Sequence, residues 1–508
     1  MPSLKQEIRA SPDYGQGNYN DFNTFYYQAA SGTSGGSSGS PVLDIHGDAI
    51  ALNAGGASKA ASSYYLPLDR IDRALKLLQA NEHVPRGTIQ TEWEHLPFDE
   101  VRRLGLLEDT EAALRRQFPA NTGMLVVKQV LPKGPADGQL VSGDILLTLQ
   151  GEPVIGFAAL EAMMDDHVDQ TVDLDVQRGG DVLHVRVQVQ DLHSITPSRY
   201  LDIGDAVLND LSYQMARSFS VPVGGVYVAY SGYMFAYAGI SRKSVVTEIN
   251  HTKTPTLDAF LNAIRDIPDG KRVPVRYFHL SKVYQERIAI VYVDRRWFPC
   301  RLHVRDDTLG FWNPQDMLPP PGRAVYSAST AVYPTLDASL APADTLFRSL
   351  VAVDFHVPFL VEGVKKSQIF GAGLIVDEEH GYVLTDKYTI PITTGDVYLT
   401  FAASVVIPAN IVFSHPTYNY VLLQYDPALI GETKVKAATL SSSLVKRGQD
   451  VMVLTLQDDN SPLVRKTSVS SVSELYANQA VPPRYRAVNV EKIEMDDAVG
   501  GKGILIFS

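Results

Sequence analysis

The run Gly35-Gly36-Ser37-Ser38-Gly39-Ser40-Pro41 sets a serine among glycines, just ahead of an apolar segment. A tight turn of small residues can aim the backbone N–H groups of Gly36 and Ser38 into one cavity. Such a pair of donors stabilises the oxyanion of a tetrahedral intermediate, with Ser38 as the nucleophile. Serine is not activated alone: an imidazole must take its proton, and a carboxylate must fix that imidazole's tautomer. Only 37 residues precede Ser38, and none is histidine. Asp13 and Asp21 lie among them with no imidazole to orient, so both read as solvated loop residues. The bland alternative is a flexible linker, since residues 31–40 hold four glycines and five serines.

The elements that would position the loop argue against a linker. Tyr26-Tyr27-Gln28-Ala29 is strand-like before it, and residues 41–45, 46–48 and 49–52 read as strand, turn and strand behind it. Residues 64–68 make another strand. Apolar side chains at 71, 74, 75, 77 and 78 then predict an amphipathic helix over 69–79. Loop, hairpin, strand and helix resembles the way the second barrel of a trypsin-like domain ends. That resemblance implies that Leu52, Asn53, Ala54 and Gly55 form a strand that pairs with substrate backbone. Small residues there favour a small or medium aliphatic side chain before the cut.

Composition narrows the alternatives. The chain has 508 residues, 45% apolar and 20% charged, enough for several globular domains. A net charge of −12 argues against a nucleic-acid partner. The most apolar stretch, 226–240, is interrupted by Ser231 and Gly232, so no transmembrane helix is expected. The first 20 residues contain no apolar core of a secretory signal. A single cysteine, Cys300, forms no internal disulfide and fits a reducing compartment. Its neighbours Trp297, Phe298 and Pro299 predict a buried packing role. The histidines, among them His46, His83, His251 and His356, sit singly without metal-ligand spacing. No metal and no cofactor is therefore expected.

Downstream the chain repeats itself. Strand 122–130, the run Gly143-Asp144-Ile145-Leu146, the turn Gln150-Gly151 and a helix over 157–164 form one unit. Strand 224–229, the run Lys243-Ser244-Val245-Val246, Asn250-His251 and a helix over 257–264 form another. Positions 144 and 244, and 150 and 250, align at one constant offset. The units resemble PDZ domains of the circularly permuted kind found behind HtrA proteases, more closely in the first copy. PDZ domains capture peptides by adding a strand to a sheet edge. That resemblance places the peptide-binding loop of the first copy at Gly87-Thr88-Ile89-Gln90.

Pro319-Pro320-Pro321-Gly322 marks a linker, and the strands beyond it resemble the first barrel of a second trypsin-like domain. The positions where this family carries its triad hold Tyr388, Asn419 and Lys502. None can supply the general base, the orienting carboxylate or the nucleophile, so this copy is expected to be catalytically dead.

The expected fold is mainly β with some α. It comprises a trypsin-like barrel portion (1–82), two PDZ-like α+β domains (83–192 and 193–295), a linker (296–343) and a degenerate trypsin-like double β-barrel (344–508). This order resembles the fungal nuclear HtrA-like, or pro-apoptotic, serine proteases, in which two HtrA-type halves stand in tandem. Tyr19-Asn20-Asp21-Phe22-Asn23, residues 30–41 and Leu66-Pro67-Leu68-Asp69-Arg70-Ile71 carry that resemblance. It implies a nuclear endopeptidase acting through an acyl-enzyme on Ser38, with protein substrates and PDZ ligands as partners. A homo-oligomer is allowed; nucleic acid and membrane insertion are not expected. The chain reads as a member shortened at both ends, inactive by itself for want of the His and Asp. The alternative is a non-catalytic, peptide-binding scaffold.

Overall fold

The computed structural model describes residues 5–7, 21–29, 36–57, 62–318, 325–336, 341–361, 364, 367–474, 491–496 and 502–507. They fall into two units, residues 1–322 and 323–508.

The first unit opens with β1 (Lys5–Glu7), β2 (Tyr26–Ala29), β3 (Pro41–Leu43), β4 (Ala49–Ala57) and β5 (Ser62–Pro67), in the sheet order β1-β2-β5-β4-β3. Asp44 closes the β3–β4 hairpin by accepting from the amides of His46 (2.8 Å) and Asp48 (3.0 Å). Helix α1 (Asp69–Gln79) follows, with Asp69 and Asp72 at its positive end and Lys76 in its last turn. Its expected apolar stripe exists, but Ile71, Leu75 and Leu78 face solvent.

Next comes an α+β module built from β6 (Gly87–Thr88), β7 (Thr91–Pro97), α2 (Phe98–Arg103), α3 (Glu108–Gln117), β8 (Gly123–Val130), β9 (Ile145–Leu149), β10 (Glu152–Pro153), α4 (Phe157–Asp166), β11 (Thr171–Arg178), β12 (Asp181–Gln188) and β13 (Gln190–Asp191). Its sheet runs β12-β11-β9-β8-β7, so β7 is an edge strand. Phe157, Leu160 and Met164, on one face of α4, pack against Leu125, Leu149, Val172 and Leu174. Each such burial contributes about 1.5–3 kcal/mol. Asp144 is fully buried and earns its place before β9 through two bonds from Arg178 (2.7 and 2.8 Å) and one from the Val141 amide (2.9 Å).

The second module holds β14 (Arg199–Ile203), β15 (Ala206–Asp210), α5 (Tyr213–Phe219), β16 (Val226–Tyr230), α6 (Met234–Tyr237), β17 (Ser244–Ile249), β18 (Thr252–Lys253), α7 (Leu257–Arg265), β19 (Arg272–His279), β20 (Glu286–Tyr292), β21 (Cys300–Asp306) and β22 (Phe311–Leu318). The sheet order is β20-β19-β17-β16-β15-β14-β21-β22. Thr256 caps α7 by accepting from the Ala259 amide at 3.2 Å.

The expected linker 296–343 is overturned at both ends. Residues 300–318 are β21 and β22, which extend the second module's sheet through β14. Beyond the polyproline run, Ser329 and Ala331 donate to Leu429 O (3.0 Å) and Thr433 Oγ1 (2.9 Å), tying 325–336 to the second unit. The proline run falls at the sequence boundary between the two units, and the described segments on either side of it have backbone partners and therefore fold.

In the second unit, α8 (Ala341–Phe347) precedes β23 (Leu350–His356), β24 (Gln368–Asp377), β25 (Tyr382–Thr385), β26 (Asp396–Phe401), β27 (Val405–Ser414) and β28 (Val421–Tyr425). These six strands close a barrel around Val351, Val353, Phe355, Ile375, Leu399 and Leu423. Then β29 (Asp450–Leu456), β30 (Pro462–Glu474), β31 (Glu491–Met495) and β32 (Lys502–Phe507) form a sheet in the order β31-β30-β29-β32. One barrel is thus closed, and the second is an open sheet among the described residues. No described helix is long and apolar enough to cross a membrane.

Candidate functional site

The Ser38 turn is held by its two flanking glycines and by one asparagine. Gly36 (φ +91°) and Gly39 (φ +81°) both adopt the left-handed backbone that side chains disfavour. The Gly39 amide donates to Asn53 O at 2.8 Å, and the Asn53 amide donates to Ser40 O at 2.9 Å. Buried Asn53 also gives its side-chain amide to Ser37 O (2.7 Å) and Ser37 Oγ (3.0 Å). Ser38 itself is exposed at the tip. None of the twelve histidines is hydrogen-bonded to it among the described residues.

This geometry narrows the proposed substrate strand. At Leu52 and Asn53, β4 is bonded on one side to β3 and the Ser38 turn, and on the other to Leu66 and Tyr65 of β5. Neither residue presents an edge to a substrate, and Asn53 acts as the anchor of the turn. Ala54 and Gly55 lie past the end of β3, and Gly55 pairs with Tyr64 of β5.

The loop Gly87-Thr88-Ile89-Gln90 is far more internally engaged than a ligand cradle requires. The Gly87 amide donates to Asp165 Oδ1 at 2.9 Å, and the Gln90 amide donates to Thr88 Oγ1 at 3.0 Å. Thr88 pairs with Gln190 of β13, Ile89 is buried in the core, and Gln90 sits at φ +55°. Two of the four loop amides are therefore spent on the protein's own side chains.

The groove between β7 and α4 was not legible beforehand. Asn23 enters it, 7% exposed. Its amide nitrogen donates to Thr91 O (3.3 Å) and Glu161 Oε1 (2.9 Å), and its oxygen accepts from the Trp93 amide (2.8 Å). Arg70 of α1 donates to Asn23 O at 2.6 Å. Arg86 bridges Asp165 (2.8 Å) and Glu161 (3.2 Å). Burial pushes the carboxyls of Glu161 and Asp165 up, against the pull of these arginines. A cavity of about 20 Å³ remains beside Asn23, Gly87 and Trp93, room for one water at most.

In the second unit, Tyr388 and Asn419 come to adjacent loops. Asn419 Oδ1 accepts from the Lys387 amide at 3.0 Å, and the Tyr388 amide donates to Asp386 Oδ1 at 2.6 Å. Lys387 is buried and donates from Nζ to His415 O (2.8 Å); burial lowers its pKa. Lys502 opens β32, paired with Leu456, and its side chain lies outside the described residues. Cys300 is buried, and burial pushes its thiol up to about 11.

Models of the PDZ domain and the PDZ-like domain match residues 112–208 and 194–270. Across the whole chain, the pro-apoptotic serine protease NMA111 of Yarrowia lipolytica is 42% identical over 501 residues, 97% of this chain and 51% of the relative. The proteins of the same name from Eremothecium gossypii and Aspergillus oryzae are 40% and 41% identical. They cover 97% and 98% of this chain, and 51% and 49% of themselves. The chain is a relative of the HtrA-like pro-apoptotic serine proteases. It spans about half the length of the curated pro-apoptotic proteases it matches. The crystal structure of Deg5 aligns with 33% of this chain and 78% of its own at a TM-score of 0.25 and 14% identity, too loose a likeness to weigh.

Proposed function

We propose that the chain is part of an HtrA-type serine endopeptidase that cleaves protein substrates through an acyl-enzyme on Ser38. The observation that carries this reading is the Ser38 turn, an exposed hydroxyl between left-handed glycines, pinned to the sheet by Asn53. Ser38 Oγ attacks the scissile carbonyl, and the N–H groups of Gly36 and Ser38 receive the oxyanion. The C–N bond breaks, the amine leaves with a proton, and water then hydrolyses the ester. The imidazole and carboxylate that move this proton are proposed to reach Ser38 from outside these 508 residues. The relatives' names and their doubled length support that placement.

The test is cleavage of unfolded casein by the wild-type protein, with its full complement of chain, against Ser38→Ala. A loss of at least about a thousandfold is expected for removal of the nucleophile. Equal rates would overturn the assignment. The isolated 508-residue chain is expected to be inactive in the same assay.

A second reading, peptide binding without catalysis, is favoured by the edge strand β7, whose Thr91 and Trp93 line one small cavity with Leu160, Glu161 and Met164 of α4. Such an edge takes up an extended peptide as a further strand. Binding of peptides that survives Ser38→Ala, with no cleavage by any form of the protein, would favour it. Residence in the nucleus is proposed from the family resemblance alone, and fractionation of source cells checks it.

A further inference from the structure

The first module's sheet ends in the strand pair β8–β7, the second module's sheet contains the corresponding pair β16–β15, and the outer edges of the two pairs are closed in different ways. Thr91 pairs with Val130 in β7–β8, and Val207 pairs with Tyr230 in β15–β16, so β16 stands at the repeat offset from β8 while β15 takes the place of β7 as its partner. Both pairs also carry a register shift, between Glu92 and Trp93 in the first and, one position earlier, between Val207 and Leu208 in the second. The outer edge of β15 is covered by a whole strand: β14 pairs Leu201, Asp202 and Ile203 with Leu208, Val207 and Ala206, and β21 and β22 continue outward. The outer edge of β7 is covered at Thr91 and Trp93 by one side chain, Asn23.

Asn23 serves there as a one-residue strand. A primary amide offers one donor face and one acceptor, as a peptide unit does. By bonding to the carbonyl of Thr91 and the amide of Trp93, it satisfies two edge groups flanking Glu92. One residue of a parallel partner strand would satisfy the same two groups. Its third bond, to Glu161 on α4, spans the groove to its opposite wall. The backbone around it is tied down as well. Arg70 holds the Asn23 carbonyl, and the Phe22 ring lies 4.5 Å from the Arg217 guanidinium and 5.5 Å, edge-on, from Tyr213 of α5. One short segment therefore touches the Ser38-bearing module's helix, the first PDZ-like module and the second.

We propose that Asn23 is a displaceable plug of the first module's peptide edge, so that an extended peptide captured by β7 evicts it and frees the 21–25 segment from all three modules. The second module takes no peptide at the equivalent edge, because β14 fills it with a full ladder. The inference rests on the peptide-binding reading above.

The experiment uses the full chain. Short peptides with free C-termini, selected from a display library on the Asn23→Ala protein, are labelled and titrated into both proteins by fluorescence anisotropy. Removing the competing amide bonds is expected to tighten peptide binding about tenfold. In the wild-type protein, the same peptide is expected to speed hydrogen exchange over residues 21–25 while slowing it over 91–95, with 206–210 unchanged. Should Asn23→Ala fail to fold, Asn23→Asp keeps the acceptor, loses the donor and sets a carboxylate beside Glu161. It should tighten peptide binding in the same direction. Equal affinities, with 91–95 protected and 21–25 unmoved, would overturn the plug and leave peptide binding standing. Failure to select any peptide, or selected peptides that protect only other segments, would remove the peptide-binding reading and the plug with it.

Discussion

Arg217 on α5 donates to Glu92 on β7 at 3.0 Å, joining the two PDZ-like modules through an ion pair whose side chains are 8% and 11% exposed. Lys128 reaches the other Glu92 oxygen at 2.6 Å from a more exposed position. Removing one partner of a buried pair strands the other charge, which costs about 3 kcal/mol. Arg217→Ala is therefore expected to lower the urea midpoint of the first unit substantially. The double variant Glu92→Gln/Arg217→Met should recover most of that loss. A single-variant change under about 0.5 kcal/mol would show that the pair is solvated in solution.

Asn53 holds the Ser38 turn through two bonds from its side-chain amide to Ser37. Asn53→Ala removes both and is expected to cost about 1–2 kcal/mol. Hydrogen exchange should rise over residues 37–40 and stay unchanged in the Asp44–Asp48 turn, whose own bonds are intact. Uniform change across the sheet would mean that Asn53 acts in general packing.

What the sequence made legible was whatever repeats with a period. The α1 helix falls where the apolar spacing put it, and the β8 strand and the α4 and α7 helices fall where the repeated units placed them. Gly143-Asp144 could be matched to a family because a buried aspartate before a strand is an uncommon choice, here explained by Arg178. The groove filling was not legible. A lone asparagine in a polar segment carries no periodicity, and its bonds span 68 and 138 residues of chain. Strand β14 was equally hidden, since its value lies in which edge it covers and not in its own pattern. Period also says that α1 has an apolar face, but not what meets that face, and Leu75 and Leu78 stand in solvent.

Gly87 is required by a close approach. A Cβ built there would lie 2.0 Å from the Met164 carbonyl oxygen on α4, a backbone atom that cannot swing aside. Gly87→Ala must push α4 from β6 and break the Gly87 amide's bond to Asp165, an expected loss of about 3 kcal/mol. Gly39→Ala makes the useful contrast: at φ +81° its Cβ meets nothing within 4 Å, so strain of about 1–2 kcal/mol is all it adds. Thermal unfolding of the two variants should therefore differ clearly, with Gly87→Ala the less stable. The reverse order would mean that the contact between β6 and α4 opens in solution.

Glu111 on α3 supplies a pH dependence whose sign follows from its partners. It accepts from Arg102 Nε (2.6 Å) and Nη2 (2.9 Å) and from Arg115 Nε (2.7 Å). The Arg102 bond, helped by Arg115 and opposed by burial, holds its carboxyl at about 2 against an ordinary 4.5. The folded chain thus binds this proton less readily than the unfolded one. The stabilisation is complete above pH 4.5 and is lost as pH falls toward about 2. Urea midpoints of the wild-type protein should fall more steeply across that window than those of Glu111→Gln, which has no proton to take up. Arg102→Ala should shift the wild-type loss to higher pH, because the strongest partner of the carboxylate is gone. Parallel curves for wild type and Glu111→Gln would show that the acid transition belongs to other carboxylates and that Arg102 does not grip Glu111 in solution.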